Sequence, residues 1–218
     1  MEKKEFLLKH YLVFFIMPLS SLLYYIKNIK SIERGLGFLI YVVISVMFMC
    51  LLWKAVSFIG ARFDIKKLSV TAVTAAVLVI LDQLIKLALS KTGFETKIIS
   101  KLFMIKQTHN INQTGLFNFL NIEITQAHAI VFKTVLLAVI LCFYRLCRSE
   151  TSRMGLTLLV AGAAANILDS TFYGYTLDYI HFYRTVTYDL KDYYVDAGFS
   201  VLILCFIKYG DKKKKQDP

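Results

Sequence analysis

Six apolar segments alternate with shorter polar stretches along the chain, and this pattern predicts membrane-spanning helices. The segments cover roughly residues 11–26, 36–53, 68–89, 127–144, 154–172 and 193–207. A strand at membrane depth would leave backbone groups unpaired, whereas a helix satisfies them internally. Several segments are shorter than the ~20 residues of a perpendicular span, so polar flanks must snorkel or the bilayer must adapt.

Basic clusters predict the orientation of the last four helices, because cytoplasmic connectors are enriched in lysine and arginine. The predicted cytoplasmic clusters are Arg62, Lys66 and Lys67, then Arg145, Arg148 and Arg153, and finally Lys212 to Lys215. The stretches 90–126 and 173–191 are therefore predicted to face outward. Lys27, Lys30 and Arg34 would also lie outside, against this rule, so the topology of the first two segments stays open.

The composition indicates a membrane protein rather than a nucleic-acid-binding protein. The chain has 218 residues, 57% of them hydrophobic, and a net charge of +11. Because the basic residues gather in connectors and in the tail, they indicate membrane topology and anionic lipid contacts rather than nucleic-acid binding. His109 and His128 lack the spacing of metal ligands, so neither a metal nor a cofactor is expected.

The predicted fold is an all-α polytopic membrane protein with about six helices and a small outer β-like region. An N-terminal two-span extension, 1–66, precedes a four-helix core, 67–218, that ends in a basic tail. The outer stretch 90–126 is long for a connector, and the mixed apolar and polar residues of 97–106 suit short strands.

Three carboxylates are predicted to lie at one depth near the outer surface. Asp82 follows the start of its segment by about 21 Å, and Asp169 follows the start of its segment by about 22 Å, at 1.5 Å per residue. Asp192 begins the sixth segment from the outside. Carboxylates at a membrane edge are costly to bury, so they indicate function.

Asp169 and Asp192 are the predicted catalytic pair. Two adjacent carboxylates can share a proton, so that one activates a water and the other protonates an amide. Gly162, Asn166 and Asp169 share one helix face, and Asn166 could orient Asp169. The alternative is that Asn166 and Asp169 only bind a neighbouring helix, whose close approach the small residues Ala161 to Ala165 allow.

Five segments in order over 68–207 resemble motifs of lipoprotein signal peptidase (signal peptidase II), a bacterial membrane aspartic protease. Asp82-Gln83-Leu84-Ile85-Lys86 is similar to D-Q-x-x-K, and Asn112 to Leu120 is similar to N-x-G-A-A-F-S-F-L. Ala161 to Asp169 resembles G-G-A-x-G-N-x-x-D, and Gly174 to Ile180 resembles G-x-V-x-D-F-I. Tyr188 to Asp192 with Gly198 resembles F-N-x-A-D-x-x-x-x-x-G. The resemblance implies that Asp169 and Asp192 are catalytic, and that Asp82, Lys86, Asn112 and Asn166 shape the pocket and bind substrate.

The chain departs from these motifs around the predicted pair. Ser170 stands where the motif has arginine, Asp189 where it has asparagine, and Lys191 where it has alanine. Ala161 and Ala165 replace glycines, Asp196 adds a carboxylate, and the first two spans lie outside the four-span plan. Loss of the arginine removes a cation that would bind substrate carbonyls or lipid phosphate.

The resemblance implies an aspartic endopeptidase that removes signal peptides from lipid-modified prolipoproteins. It further implies a monomer in the bacterial cytoplasmic membrane, with its active site toward the outer face and with membrane lipids as partners. Two alternatives remain. The chain could bind lipopeptide or lipid without hydrolysis, or its membrane carboxylates, including Asp196, could conduct protons or cations.

Overall fold

The computed structural model describes residues 12–19, 31–110, 125–147, 149–183 and 186–214. A helical segment at 12–19 includes a 3-10 turn, Val13–Phe15. The long helices are α1 (Ile32–Arg62), α2 (Leu68–Thr92), α3 (Gln126–Leu146), α4 (Glu150–Phe172) and α5 (Leu190–Lys214). The strands are β1 (Thr96–Ile99), β2 (Phe103–Asn110), β3 (Thr176–Phe182) and β4 (Val186–Tyr188).

Helices α1 to α4 are long and apolar enough to cross a membrane. Their exposed apolar side chains, among them Met47, Val73, Val131 and Val135, suit a lipid environment. The structure thus confirms a mostly helical chain with several predicted spans. Helix α5 coincides with the sixth predicted segment, and its crossing of the membrane stays a prediction.

Helix α1 packs directly on the rest of the protein. Tyr41 and Met49 of α1 are fully buried, and the Tyr41 ring meets the rings of Phe182 and Tyr188 at centroid distances of 5.3 Å. The second predicted segment, 36–53, is therefore the middle of a longer helix. Half of the first, 11–26, lies outside the described residues, so the two-span extension stays a prediction.

The four strands form one antiparallel sheet in the order β1-β2-β3-β4. The first two strands confirm the predicted β-like region. Strand β3 was not predicted, and it pairs with β2 so that Asp178 lies opposite Thr108. Most of the β3 residues are buried, so the polar–apolar alternation that marks a half-exposed strand is missing.

Glycines bring α4 and α5 into close contact. A Cβ atom on Gly198 would lie 2.8 Å from the backbone oxygen of Gly155, and one on Gly162 would lie 3.1 Å from that of Lys191. Larger residues there would separate the helices. This contact carries Asp169, near the end of α4, toward the first turn of α5.

Candidate active site

Helix α2 contributes a fully buried ammonium group at the centre of the site. Lys86 Nζ lies 2.7 Å from Asp82 Oδ2, 2.6 Å from Asp169 Oδ2 and 2.8 Å from Asp189 Oδ2. An ammonium has three N–H donors, so these carboxylates use its whole capacity. Asp82 and Asp169, which were predicted to lie at one depth, are thus linked through Lys86.

Asp169 is held by groups from two other helices. Its Oδ1 accepts a hydrogen bond of 2.9 Å from Gln83 Nε2 of α2. Its Oδ2 contacts Lys86 and also lies 3.2 Å from Lys191 Nζ of α5. Both oxygens of Asp169 are therefore engaged by side-chain donors.

Two ammonium groups and two carboxylates alternate in a closed charge ring of Lys86, Asp169, Lys191 and Asp189. Lys191 Nζ contacts Asp189 Oδ2, and all four side chains are almost fully shielded from solvent. Burial alone would raise the pKa of Asp189, but the neighbouring Lys191 and Lys86 lower it. The two departures at 189 and 191 thus form a mutually neutralising pair.

A capping box at the start of α5 orients Asp192. The backbone N–H of Asp189 donates to Asp192 Oδ2, and the backbone N–H of Asp192 donates to Asp189 Oδ1, both at 3.2 Å. The Asp-x-x-Asp spacing is a local signature of this cap. Asp192 is half-buried, unlike the fully buried Asp169.

Strand β3 brings Asp178 to Asp192. Carboxylate oxygens of Asp178, Asp189 and Asp192 all lie within 4.8 Å of one another. Thr187 Oγ1 donates to Asp178 Oδ2 at 3.2 Å, and Lys191 Nζ lies 4.0 Å from Asp178 Oδ1. Next to Asp178, the Tyr179 hydroxyl accepts from the backbone N–H of Leu190, which ties β3 to the start of α5.

A second group of three carboxylates comprises Asp82, Asp169 and Asp189, whose oxygens also lie within 4.8 Å of one another. Both groups have the donor chemistry of a metal site. In this second group, however, Lys86 Nζ already contacts one oxygen of each residue. An internal ammonium therefore supplies the cation that the carboxylates require.

Helix α3 adds a third buried lysine. Lys133 Nζ donates to Ser170 Oγ at 2.6 Å and to the backbone oxygen of Asn166 at 3.5 Å. Gln126, two turns earlier, donates to the backbone oxygen of Ser170 at 2.7 Å. Within the described part of the chain, no carboxylate oxygen lies within 4.0 Å of Lys133 Nζ, in contrast to Lys86 and Lys191.

Asn166, Asn112 and the pairing of Asp169 with Asp192 remain from the sequence-predicted site. The Asn166 side chain donates to the backbone oxygen of Gly162 at 3.2 Å, so this bond fastens it to its own helix. Asn112 lies outside the described residues. The pairing of Asp169 with Asp192 stays a prediction, because each is grouped with Asp189 but not in one common group of three.

Sequence reasoning left Asp178, Lys191 and Lys133 out of the site. Lys133 could have been predicted most readily, because a lysine within an apolar span is by default a candidate functional residue. Asp178 was part of a recognised motif but had no predicted strand to bring it toward Asp192. The position of Lys191 depends on the packing of three helices, which no local pattern reveals.

Comparison with known families gives a match over most of the core. Residues 74–208, more than half of the chain, match the family model described as signal peptidase (SPase) II. A lipoprotein signal peptidase of Rickettsia felis is 30% identical over 68% of this chain and 81% of its own length. One from Rickettsia conorii is 31% identical over 62% and 71%, respectively.

A solved structure supports the same fold. A bacterial membrane enzyme determined at 1.9 Å resolution by the in meso method superposes with a TM-score of 0.57. The alignment covers 65% of this chain and 94% of that enzyme, and the two sequences are 19% identical. At this sequence identity the match shows only that the fold is similar. Together with helices apolar enough to span a bilayer, it supports a multi-pass membrane protein.

Proposed function

Because the chain belongs to the signal peptidase II family, a family of lipoprotein-processing proteases, we propose that it cleaves signal peptides from lipid-modified prolipoproteins by a two-aspartate mechanism. The observation that carries this proposal is the approach of Asp178 to Asp192 within 4.8 Å at the half-buried start of α5. The proposed location is the bacterial cytoplasmic membrane, with the site toward the outer face.

We assign the two roles to Asp192 and Asp178, in place of the sequence-predicted pair of Asp192 and Asp169. Asp169 has both oxygens engaged by Gln83, Lys86 and Lys191. Displacing those donors would leave buried charges without partners, which is energetically costly. Asp178 comes from β3 and Asp192 from the first turn of α5, so the two carboxylates approach each other from different structural elements.

The charges around the pair suggest which carboxylate acts as base. Lys191 at 4.0 Å and the Thr187 hydroxyl at 3.2 Å favour the charged form of Asp178. Burial, together with the close carboxylates of Asp189 and Asp178, favours the protonated form of Asp192. Asp178 then removes a proton from water as the water attacks the scissile carbonyl. Asp192 donates its proton toward the amide, the C–N bond breaks, and the amine leaves protonated.

The remaining polar residues organise the site. The charge ring connects α2, α4 and the start of α5, and Lys191 also contacts Asp178 of β3. Lys86 and Asp82 belong to this supporting set. No residue here forms a covalent intermediate, because both proposed catalytic groups act through water.

The test is cleavage of a lipidated peptide reporter by the purified chain and by Asp178→Asn, Asp192→Asn and Asp169→Asn. We expect the first two to lose at least about a thousandfold in kcat while still binding a non-cleavable lipopeptide, because each removes a general acid or base. Asp196→Asn is the matched control: Asp196 lies one turn farther along α5, where its carboxylate accepts from Tyr188 at 2.9 Å.

The outcomes separate the alternatives. Hydrolysis that survives Asp178→Asn would refute the assignment of Asp178, and hydrolysis that survives Asp169→Asn would exclude the sequence-predicted pair. A wild-type chain that binds lipopeptide without cleaving it would be a binding protein. Ion flux abolished by Asp196→Asn would favour conduction.

A further inference from the structure

Ser170 and Lys133 together form a feature that the motif comparison did not reveal. At position 170 the motif has an arginine, which this chain lacks. In the folded protein, however, the Lys133 ammonium from α3 lies 2.6 Å from the Ser170 hydroxyl. A positive charge is therefore present beside position 170, although it comes from another helix.

The partners of Lys133 distinguish it from the other two buried lysines. Lys86 and Lys191 contact carboxylates directly, whereas the described contacts of Lys133 are a hydroxyl and a backbone carbonyl. Lys133 is buried, with only 6% of the residue's surface exposed. A buried ammonium bound only to neutral oxygens is incompletely compensated, so further oxygen acceptors are favoured near it.

The surroundings of Lys133 select the chemistry of that acceptor. Lys191, Asp169, Asp192 and Lys86 are all close enough to interact electrostatically with Lys133. A phosphate or a carboxylate would meet net repulsion there, because the carboxylates of the site (Asp82, Asp169, Asp178, Asp189 and Asp192) outnumber its buried ammonium groups (Lys86, Lys133 and Lys191). A neutral carbonyl oxygen avoids this repulsion, accepts a charge-assisted hydrogen bond, and is present at every residue of a peptide substrate.

We propose that Lys133 is a substrate-binding residue that donates to a peptide carbonyl oxygen of the substrate, supplying from α3 the cation that the motif has at position 170. This inference rests on the proposed peptidase function. Ser170 orients the ammonium from one side. The hydrogen bond that Gln126 donates to the Ser170 backbone oxygen keeps α3 and α4 aligned. Lys133 takes no part in proton transfer.

The experiment moves the cation between the two helices. Lys133→Met removes the charge, Ser170→Ala removes only the hydroxyl, and the double variant Lys133→Met with Ser170→Arg restores a cation from α4. Lys91→Met is the matched control, since Lys91 is an exposed lysine in the last turn of α2. KM, kcat and binding of a non-cleavable lipopeptide are measured for each, in detergent, in vesicles of zwitterionic lipid and in vesicles that also contain anionic lipid.

We expect Lys133→Met to raise KM and weaken lipopeptide binding by about tenfold or more, the effect of one hydrogen bond to a charged group. Its kcat should stay within about threefold of wild type, since the interaction is already made in the bound substrate. The double variant should recover most of the lost affinity, and Lys91→Met should bind like wild type. Ser170→Ala removes the hydroxyl that orients the ammonium, so it should weaken binding, but by less than Lys133→Met.

Several results would overturn the proposal. Unchanged KM and binding in Lys133→Met would do so, as would a folded double variant that binds no better than Lys133→Met. An effect seen only in vesicles containing anionic lipid would assign Lys133 to a lipid headgroup instead. If Lys133→Met does not fold, Lys133→Gln gives the same comparison with a neutral donor.

The design also separates this inference from the proposed function. A wild-type chain that binds lipopeptide but does not cleave it would refute the peptidase while still testing Lys133 through binding. A wild-type chain that neither binds nor cleaves would refute both.

Discussion

The charge ring predicts that the effects of substitutions at residues 189 and 191 on the free energy of unfolding are not additive. Lys191→Met replaces a buried ammonium with an apolar side chain of similar length, leaving Asp189 and Asp169 to share Lys86. Asp189→Asn removes the matching carboxylate while keeping a residue type that caps helix N-termini well. The double variant removes both charges and leaves Lys86 with Asp82 and Asp169.

The distances set the expected size of the effect. At 3.2 Å, the attraction between Lys191 and Asp169 is about 5 kcal/mol for an effective dielectric constant near 20. Desolvation offsets much of this gain while the ring is complete, but loss of one partner leaves a buried charge uncompensated. We therefore expect Lys191→Met to lower the free energy of unfolding by about 3–5 kcal/mol. The double variant should be near wild type or more stable.

The measurement is the midpoint of thermal unfolding in detergent micelles. For a chain of this size, the single change should lower the midpoint by about 10 °C. Lys66→Met is the matched control, because its ion pair with Glu150 is about half exposed on both sides, at 54% and 57%. Such a surface pair contributes at most about 1 kcal/mol. A double variant destabilised by the sum of its two single variants would refute the reasoning.

Two further predictions concern packing and pH. Gly198→Ala places a Cβ 2.8 Å from the Gly155 backbone oxygen and should lower the free energy of unfolding by about 1–3 kcal/mol in a denaturation assay. In Gly60→Ala the new Cβ meets only the flexible end of Met154, so this control should be neutral or slightly stabilising in the same assay. Equal losses of stability in the two variants would contradict the close-contact argument. Burial lowers the pKa of His181, on strand β3, below its usual 6.5. The unfolded chain therefore binds the proton more readily, so stability should be complete above about pH 6.5 and should fall as the pH decreases below it. His181→Asn should flatten this dependence, and an unchanged pH profile in that variant would argue against a His181 contribution.

Much of the fold could be predicted from local patterns. The apolar runs at 68–89, 127–144 and 154–172 correspond to helices α2, α3 and α4 within a few residues, because the length and composition of a span are properties of one continuous segment. Strands β1 and β2 lie in the predicted outer stretch. Strand β3 was missed because most of its residues are buried, which removes the alternation that identifies a strand.

The sequence by itself determined which residues carry charge into the apolar core, the spacing of Asp82 and Lys86 on one helix face, and the Asp189–Asp192 cap. These are relations within one turn of a helix, and they need no tertiary contact. Only the tertiary structure decided which polar groups meet: Lys86 with Asp169 and Asp189, Asp178 with Asp192, and Lys133 with Ser170. An ion pair depends on distance through space, and that distance is fixed by how helices and strands far apart in the chain pack together.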